Sequence, residues 1–231
     1  MGYRRIRDEL DVNHGIDVND KRILRLCRKE EIQSNIKWRP KSCTRGDRNP
    51  DHIAKNYLHR EFHADMPNEK WLTDVSEFKY YTSVEVHKIY LSAILDLYDR
   101  RIVTFKISEH NDNPLVMDTF DEAVRLEPLA HPLFHSDRGY QYTSAQFNDR
   151  LKRHHMKQSM SRVAHCIDNG PMEGFWGILK REMYYGHHFT SKNDLINTIR
   201  QYIDYYNNRR IQRKLNVMTP MEFHNQYKKV A

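Results

Sequence analysis

The sequence predicts an α/β fold: a mixed sheet of three antiparallel strands followed by parallel ones, flanked by helices and preceded by a partial helix-turn-helix. Three observations carry this. Strand-like runs crowd into residues 70–107, at spacings that suit hairpins. From residue 113 onward, helical periodicity alternates with short apolar runs. Ahead of both, residues 4–29 read as two short basic helices around a glycine turn.

The elements follow in order. Ile6 and Leu10 stand four apart in a short helix over 4–10, and His14-Gly15-Ile16 marks a turn. Asn19 can cap a second helix with Ile23, Leu24 and Cys27 on its apolar side. Lys21, Arg22, Arg25, Arg28 and Lys29 decorate it, as in part of a DNA-binding helix-turn-helix. Residues 33–66 lose periodicity around Pro40, Gly46 and Pro50 and read as a linker, with a local helix over 55–63. Strands are expected over 70–81, 87–96 and 101–107. Asn113-Pro114 opens a helix to about residue 127, with Val116, Phe120, Ala123 and Val124 on one face. Leu133–Ser136 is a short buried strand, Ser144 starts a helix to about His154, and 158–161 is another short strand. A helix from Pro171 to about Tyr185 carries the apolar stripe Met172, Phe175, Trp176, Leu179 and Met183. A last long helix runs from Thr190 or Ser191 to about Asn207. The order βββαβαβα plus a helix is that of an RNase H-like sheet, which brings the ends of its first and fourth strands side by side.

Composition narrows the partners. The 231 residues carry a formal charge of +7, which favours a polyanion. No apolar run approaches the roughly 18–20 residues that span a bilayer, and no signal peptide opens the chain, so a cytoplasmic protein is expected. Cys27, Cys43 and Cys166 follow no disulfide pattern. His59 and His63 share an i, i+4 spacing but lack the cysteines of a zinc site, and read as surface histidines.

Three acids carry the chemistry. Asp74 interrupts the strand Trp71-Leu72-Thr73-Asp74-Val75, where an aspartate is disfavoured and needs a reason. Asp137 ends the next-but-two strand, before Arg138-Gly139, where turn chemistry alone would also suit it. Glu173 sits in the first turn of the helix opened by Pro171, with Asn169 or Gly170 as its cap. Seven residues on, nearly two turns, Lys180 shares its face, and Gly177 between them leaves room for an approach. Three clustered carboxylates would raise each other's pKa, a conflict that a divalent cation removes. Oxygen ligands suit Mg²⁺ or Mn²⁺, and two such ions roughly 3.5–4 Å apart run in-line displacement at phosphorus.

The segments Trp71-Leu72-Thr73-Asp74, His135-Ser136-Asp137-Arg138-Gly139-Tyr140-Gln141-Tyr142, Asp168-Asn169-Gly170-Pro171-Met172-Glu173-Gly174-Phe175-Trp176, Leu179-Lys180, Tyr206-Asn207-Asn208-Arg209-Arg210 and Thr219-Pro220 give the chain its resemblance. It resembles the integrase-like transposases of the IS-three family of bacterial insertion sequences, and through them retroviral integrases. The 35-residue gap between the second and third acids, 138–172, is part of that pattern. The resemblance implies that Asp74, Asp137 and Glu173 are the catalytic metal ligands and that Lys180 is a basic DNA contact. Two departures stand out. The family usually carries sequence ahead of the Gly2-Tyr3-Arg4-Arg5-Ile6 stretch, and Ala164 stands where many relatives have glycine.

The expected organisation is a partial helix-turn-helix DNA-binding region over 1–32, a linker over 33–66, and an integrase-like core with a helical tail over 67–231. The expected function is Mg²⁺-dependent DNA cleavage and strand transfer at insertion-sequence ends, by a homo-oligomer assembled on DNA. Arg4, Arg5, Lys21, Arg22 and Arg25 join Lys180 as expected DNA contacts, and an upstream helix-turn-helix partner is expected to supply end recognition. The alternatives are an RNase H-like nuclease and a non-catalytic DNA-binding remnant of a transposon.

Overall fold

β1 (Lys70–Thr82) and β2 (Glu85–Asp96) form one long hairpin, closed by Ser83 and Val84. Ser83 takes the left-handed backbone conformation (φ 43°) that tight hairpin turns require. β3 (Ile102–Ser108) adds antiparallel to β2. α3 (Asn113–Leu126), capped by the Asp112 side chain, then crosses to β4 (Leu133–Ser136), which lies parallel to β1. α4 (Tyr140–Thr143) and α5 (Ala145–Arg153) lead to β5 (Lys157–Met160), parallel to β4. The five strands lie in the order β3-β2-β1-β4-β5. This is a computed structural model, and it describes residues 2–32, 52–162 and 166–230.

Each face of the sheet has its own core. Val116, Phe120 and Ala123 of α3 pack with Phe134 and Phe147, the rings meeting edge to face. Burial of each such ring contributes about 2–3 kcal/mol. The opposite face receives α6 (Gly170–Leu179) and α7 (Lys192–Asn208). The whole expected stripe Met172, Phe175, Trp176, Leu179 and Met183 is buried there. The α6 element does not run on as one α-helix: Lys180–Tyr184 is a π-helical turn. α8 (Pro220–Val230) closes this side, with His224 Nδ1 2.7 Å from Asp99 Oδ2, both side chains buried.

The front of the chain joins the same side. α1 (Tyr3–His14) is longer than the predicted 4–10 and ends at Gly15, whose left-handed φ of 64° caps it. α2 (Asp20–Lys29) has Asn19 as its cap, accepting from the Arg22 N–H. Arg5 pairs with Glu182 at 2.8 Å, and Arg213 with the buried Asp8 at 2.6 Å. The two short helices therefore rest on the C-terminal elements through ion pairs.

The expected linker needs correction over 52–66. Its helix over 55–63 is absent; the backbone runs extended and then turns. The N–H groups of Tyr57 and Leu58 donate to Ser159 Oγ, and Met160 N donates to the Lys55 carbonyl. Ala54, Leu58 and Ala64 are buried. The segment is a strap along the edge strand β5. Residues 33–51, the rest of the expected linker, lie outside the described residues, as does Ala164. Among the described residues, no helix is long and apolar enough to cross a membrane.

Candidate active site

The parallel register of β1 and β4 sets Leu72 opposite His135. Two residues further along each strand direction stand Asp74 and Asp137. The sheet thus delivers two acids from distant sequence side by side, Asp74 within β1 and Asp137 just past the end of β4. Glu173 comes to the same cleft on α6, and Glu77, Lys180 and Arg181 also line its roughly 640 Å³.

Each acid has a structural reason for its place. Asp74 Oδ1 accepts from the Val75 N–H at 2.8 Å, and Oδ2 from the Trp176 indole at 3.0 Å. Asp137 Oδ1 accepts from the Gly139 N–H at 2.8 Å. A Cβ at Gly139 would lie 3.1 Å from that oxygen and 3.1 Å from Gln141 Oε1, so a side chain here would press on the acid. Asn169 occupies the N-cap position of α6 without capping through its side chain. Its Nδ2 donates instead to the Thr73 carbonyl at 3.1 Å. The Asn169 and Trp176 bonds hold α6 to β1 on both sides of Glu173.

The electrostatics are those of crowded carboxylates. Burial raises the Asp74 pKa, and the Asp137 charge raises it further; bonds from Val75 and Trp176 oppose this, and Glu173 adds a smaller upward push. Burial also raises Asp137, against the Gly139 hydrogen bond. Beneath them Tyr142 is buried, its hydroxyl 3.3 Å from Thr73 Oγ1. His135 is buried between Ser159 and Ser161, and burial lowers its pKa to about 4, so it stays neutral at pH 7.

Hard oxygen donors fit a divalent cation of the Mg²⁺ or Mn²⁺ type, and the mutual repulsion of Asp74 and Asp137 is the conflict such a charge relieves. As they stand, no three His, Cys, Asp or Glu side chains among the described residues are gathered tightly enough to hold an ion.

The expected basic residues divide. Lys180 reaches the cleft, but it is drawn inward with its Nζ 5.0 Å from the Phe78 ring centre. Burial lowers its pKa, opposed by Asp74 and Glu77. The space expected at Gly177 is covered by the Arg181 guanidinium. Arg4, Lys21, Arg22 and Arg25 are exposed on α1 and α2, away from the cleft. Arg5 is not available as an exposed DNA contact: its side chain is 17% exposed and bound to Glu182 and the Tyr205 hydroxyl.

Sequence reasoning missed Asp168. This buried acid accepts from Arg162 Nε at 2.9 Å, Arg60 Nε at 2.6 Å and Asn56 Nδ2 at 3.1 Å. Arg162 foremost, with Arg60, holds its carboxyl well below the usual range despite burial. The acid ties the strap to the turn that launches α6. Its sequence signals, the head of the Asp168–Trp176 segment and a place two residues before a helix start, do not show its ion pairs: Arg162 is six residues away, but Arg60 and Asn56 are more than a hundred.

A sheet of this order, with one acid within its first strand beside another just past the end of its fourth, and a third on α6, defines an RNase H-like core of the integrase type. Integrase core domain profiles match residues 64–166 and 173–227, and an HTH-like domain profile matches 1–40. The chain is 39% identical over 226 residues to the putative transposase InsK for insertion sequence element IS150 of Escherichia coli, covering 97% of this chain and 77% of that protein. It is 36% identical over 211 residues to a transposase-like protein of Haemophilus influenzae, covering 91% and 95%. The HTLV-2 integrase catalytic core, solved in complex with magnesium, superposes with a TM-score of 0.53 at 19% identity, covering 69% of this chain and 98% of that one. This chain belongs to the insertion-sequence transposases built on an integrase core.

Proposed function

We propose that this chain cleaves DNA at insertion-sequence ends, exposing 3′-hydroxyls, and joins them to a second phosphodiester, with Asp74, Asp137 and Glu173 holding two Mg²⁺ or Mn²⁺ ions. The carrying observation is the equal advance of Asp74 and Asp137 beyond the Leu72–His135 pair, with Glu173 facing the same cleft. When bound, the ions would supply Lewis acidity at the attacking and leaving oxygens. The chain's own residues do the rest. The Trp176 indole and Val75 N–H orient Asp74, and the Gly139 N–H orients Asp137. Lys180 offsets the negative charge of the cleft as phosphate enters.

Residues 1–32 serve as a DNA-binding region in this reading, with Arg4, Lys21, Arg22 and Arg25 giving salt-sensitive, largely sequence-blind attachment. The core spans 67–231, and the strap over 52–66 works with it. The enzyme acts in the cytoplasm as a homo-oligomer on DNA, and an upstream helix-turn-helix partner supplies end recognition. Duplex oligonucleotides copied from the ends of the flanking element test this. Metal-dependent nicking followed by joined products is expected. Binding without either product in Mg²⁺ or Mn²⁺ overturns the proposal.

A further inference from the structure

We propose that Arg181 grips a DNA phosphate at the acid cleft through its guanidinium fork, fixing the strand on which the acids act. The inference rests on the reading of the cleft as a DNA site and adds to it a specific anion-holding residue.

The cleft is lined by four acids, Asp74, Glu77, Asp137 and Glu173, and a polyanion entering it meets their repulsion. Two cations stand against them, Lys180 and Arg181. Lys180 lies inward against Phe78, near Asp74 and Glu77. Arg181 is placed differently. Its Nη1 and Nη2 lie 3.6 Å from where a Gly177 Cβ would stand, so the side chain folds back along α6 toward the turn of Glu173. It enters the cleft from the first turn of the π-helical segment, a geometry often found at functional sites.

What points to a ligand is that Arg181 has no acidic partner among the described residues. No acid among the described residues forms a salt bridge with Arg181, and its Nε is buried without a hydrogen-bond partner. Nearby arginines are committed: Arg5 and Arg210 to Glu182, Arg213 to Asp8, Arg60 and Arg162 to Asp168. A buried donor left unmatched is costly, and a planar fork matches two phosphate oxygens where a lysine offers a point charge.

The test is binding of the full chain to end-sequence duplex DNA across a salt series, without catalytic metal, beside duplexes carrying single neutral methylphosphonates near the cleavage site. R181A should bind about tenfold more weakly, with a salt slope smaller by about one. One methylphosphonate position should weaken wild type equally yet leave R181A unchanged. R181K should recover the slope but not the affinity. A slope unaltered in R181A, the absence of any such position, or full recovery by R181K overturns the proposal. Because binding needs no turnover, a wild type that binds but neither cuts nor joins would defeat the catalytic reading while leaving this one standing.

Discussion

The indole N–H of Trp176 donates to Asp74 Oδ2 across 3.0 Å, joining α6 to the middle of β1. Trp176 is otherwise a core residue, 7% exposed on the stripe that seats the helix. One side chain therefore packs the helix and aims an acid. Trp176→Phe keeps most of the packing and removes the donor. A bond to a charged group contributes about 1.5–3 kcal/mol, so turnover and Mn²⁺ affinity should each fall about tenfold or more while the protein stays folded. Mn²⁺ titration beside a joining assay checks this; unchanged metal affinity would make the bond incidental to function.

Asp74→Asn, Asp137→Asn and Glu173→Gln should each abolish cleavage and joining. None should unfold the chain, because the side chains line a cleft and two of them repel each other. Circular dichroism and an end-joining assay on all three variants decide the matter. Near-normal turnover in Mg²⁺ by any one variant would remove that residue from the site.

Much of this was legible because it is periodic. The strand-like runs of β1 and β2, the apolar run of β4 and the five-residue stripe of α6 each declare an element, and β1, the end of β4 and α6 position the acids. What escaped notice depends on contacts across long separations. The strap over 52–66 has no periodicity; its order comes from Ser159 Oγ and Asp168, about a hundred residues away. The second role of Trp176 was hidden by its first, since a core stripe already explained it. Arg5 looked like a surface cation because its acceptor, Glu182, belongs to an element at the other end of the chain. The π-helical turn left no mark on the apolar spacing, since Met183 within it remains buried.

Asp168→Asn should loosen the strap and the start of α6. The lost bonds from two arginines contribute about 2 kcal/mol at pH 7, modest because Arg60 and Arg162 are 42% and 51% exposed and can return to water. Folding lowers the Asp168 pKa, so its contribution is present above the unfolded value of about 4 and fades as pH falls below it. Urea midpoints of wild type and variant should differ equally at pH 7 and 5 and converge toward pH 3. A gap that stays constant down to pH 3 would show that packing, not charge, sets the effect.

Glu182 is the acid on which the front of the chain rests. It accepts from Arg5 Nη1 at 2.8 Å, Arg210 Nη2 at 2.9 Å and the Tyr202 hydroxyl at 2.8 Å. Burial opposes its charge, but Arg210 and Arg5 keep its pKa below the ordinary value. Arg5→Ala should therefore speed hydrogen exchange across α1 while leaving exchange in β1 and β2 unchanged. Because Arg5 is engaged within the protein, the same variant should keep the wild-type salt slope for DNA binding. Arg25→Ala, on the exposed side of α2, should lower that slope by about one. If Arg5→Ala lowers it as much, Arg5 leaves Glu182 to meet phosphate on DNA, and the docking of α1 seen here belongs to the free protein alone.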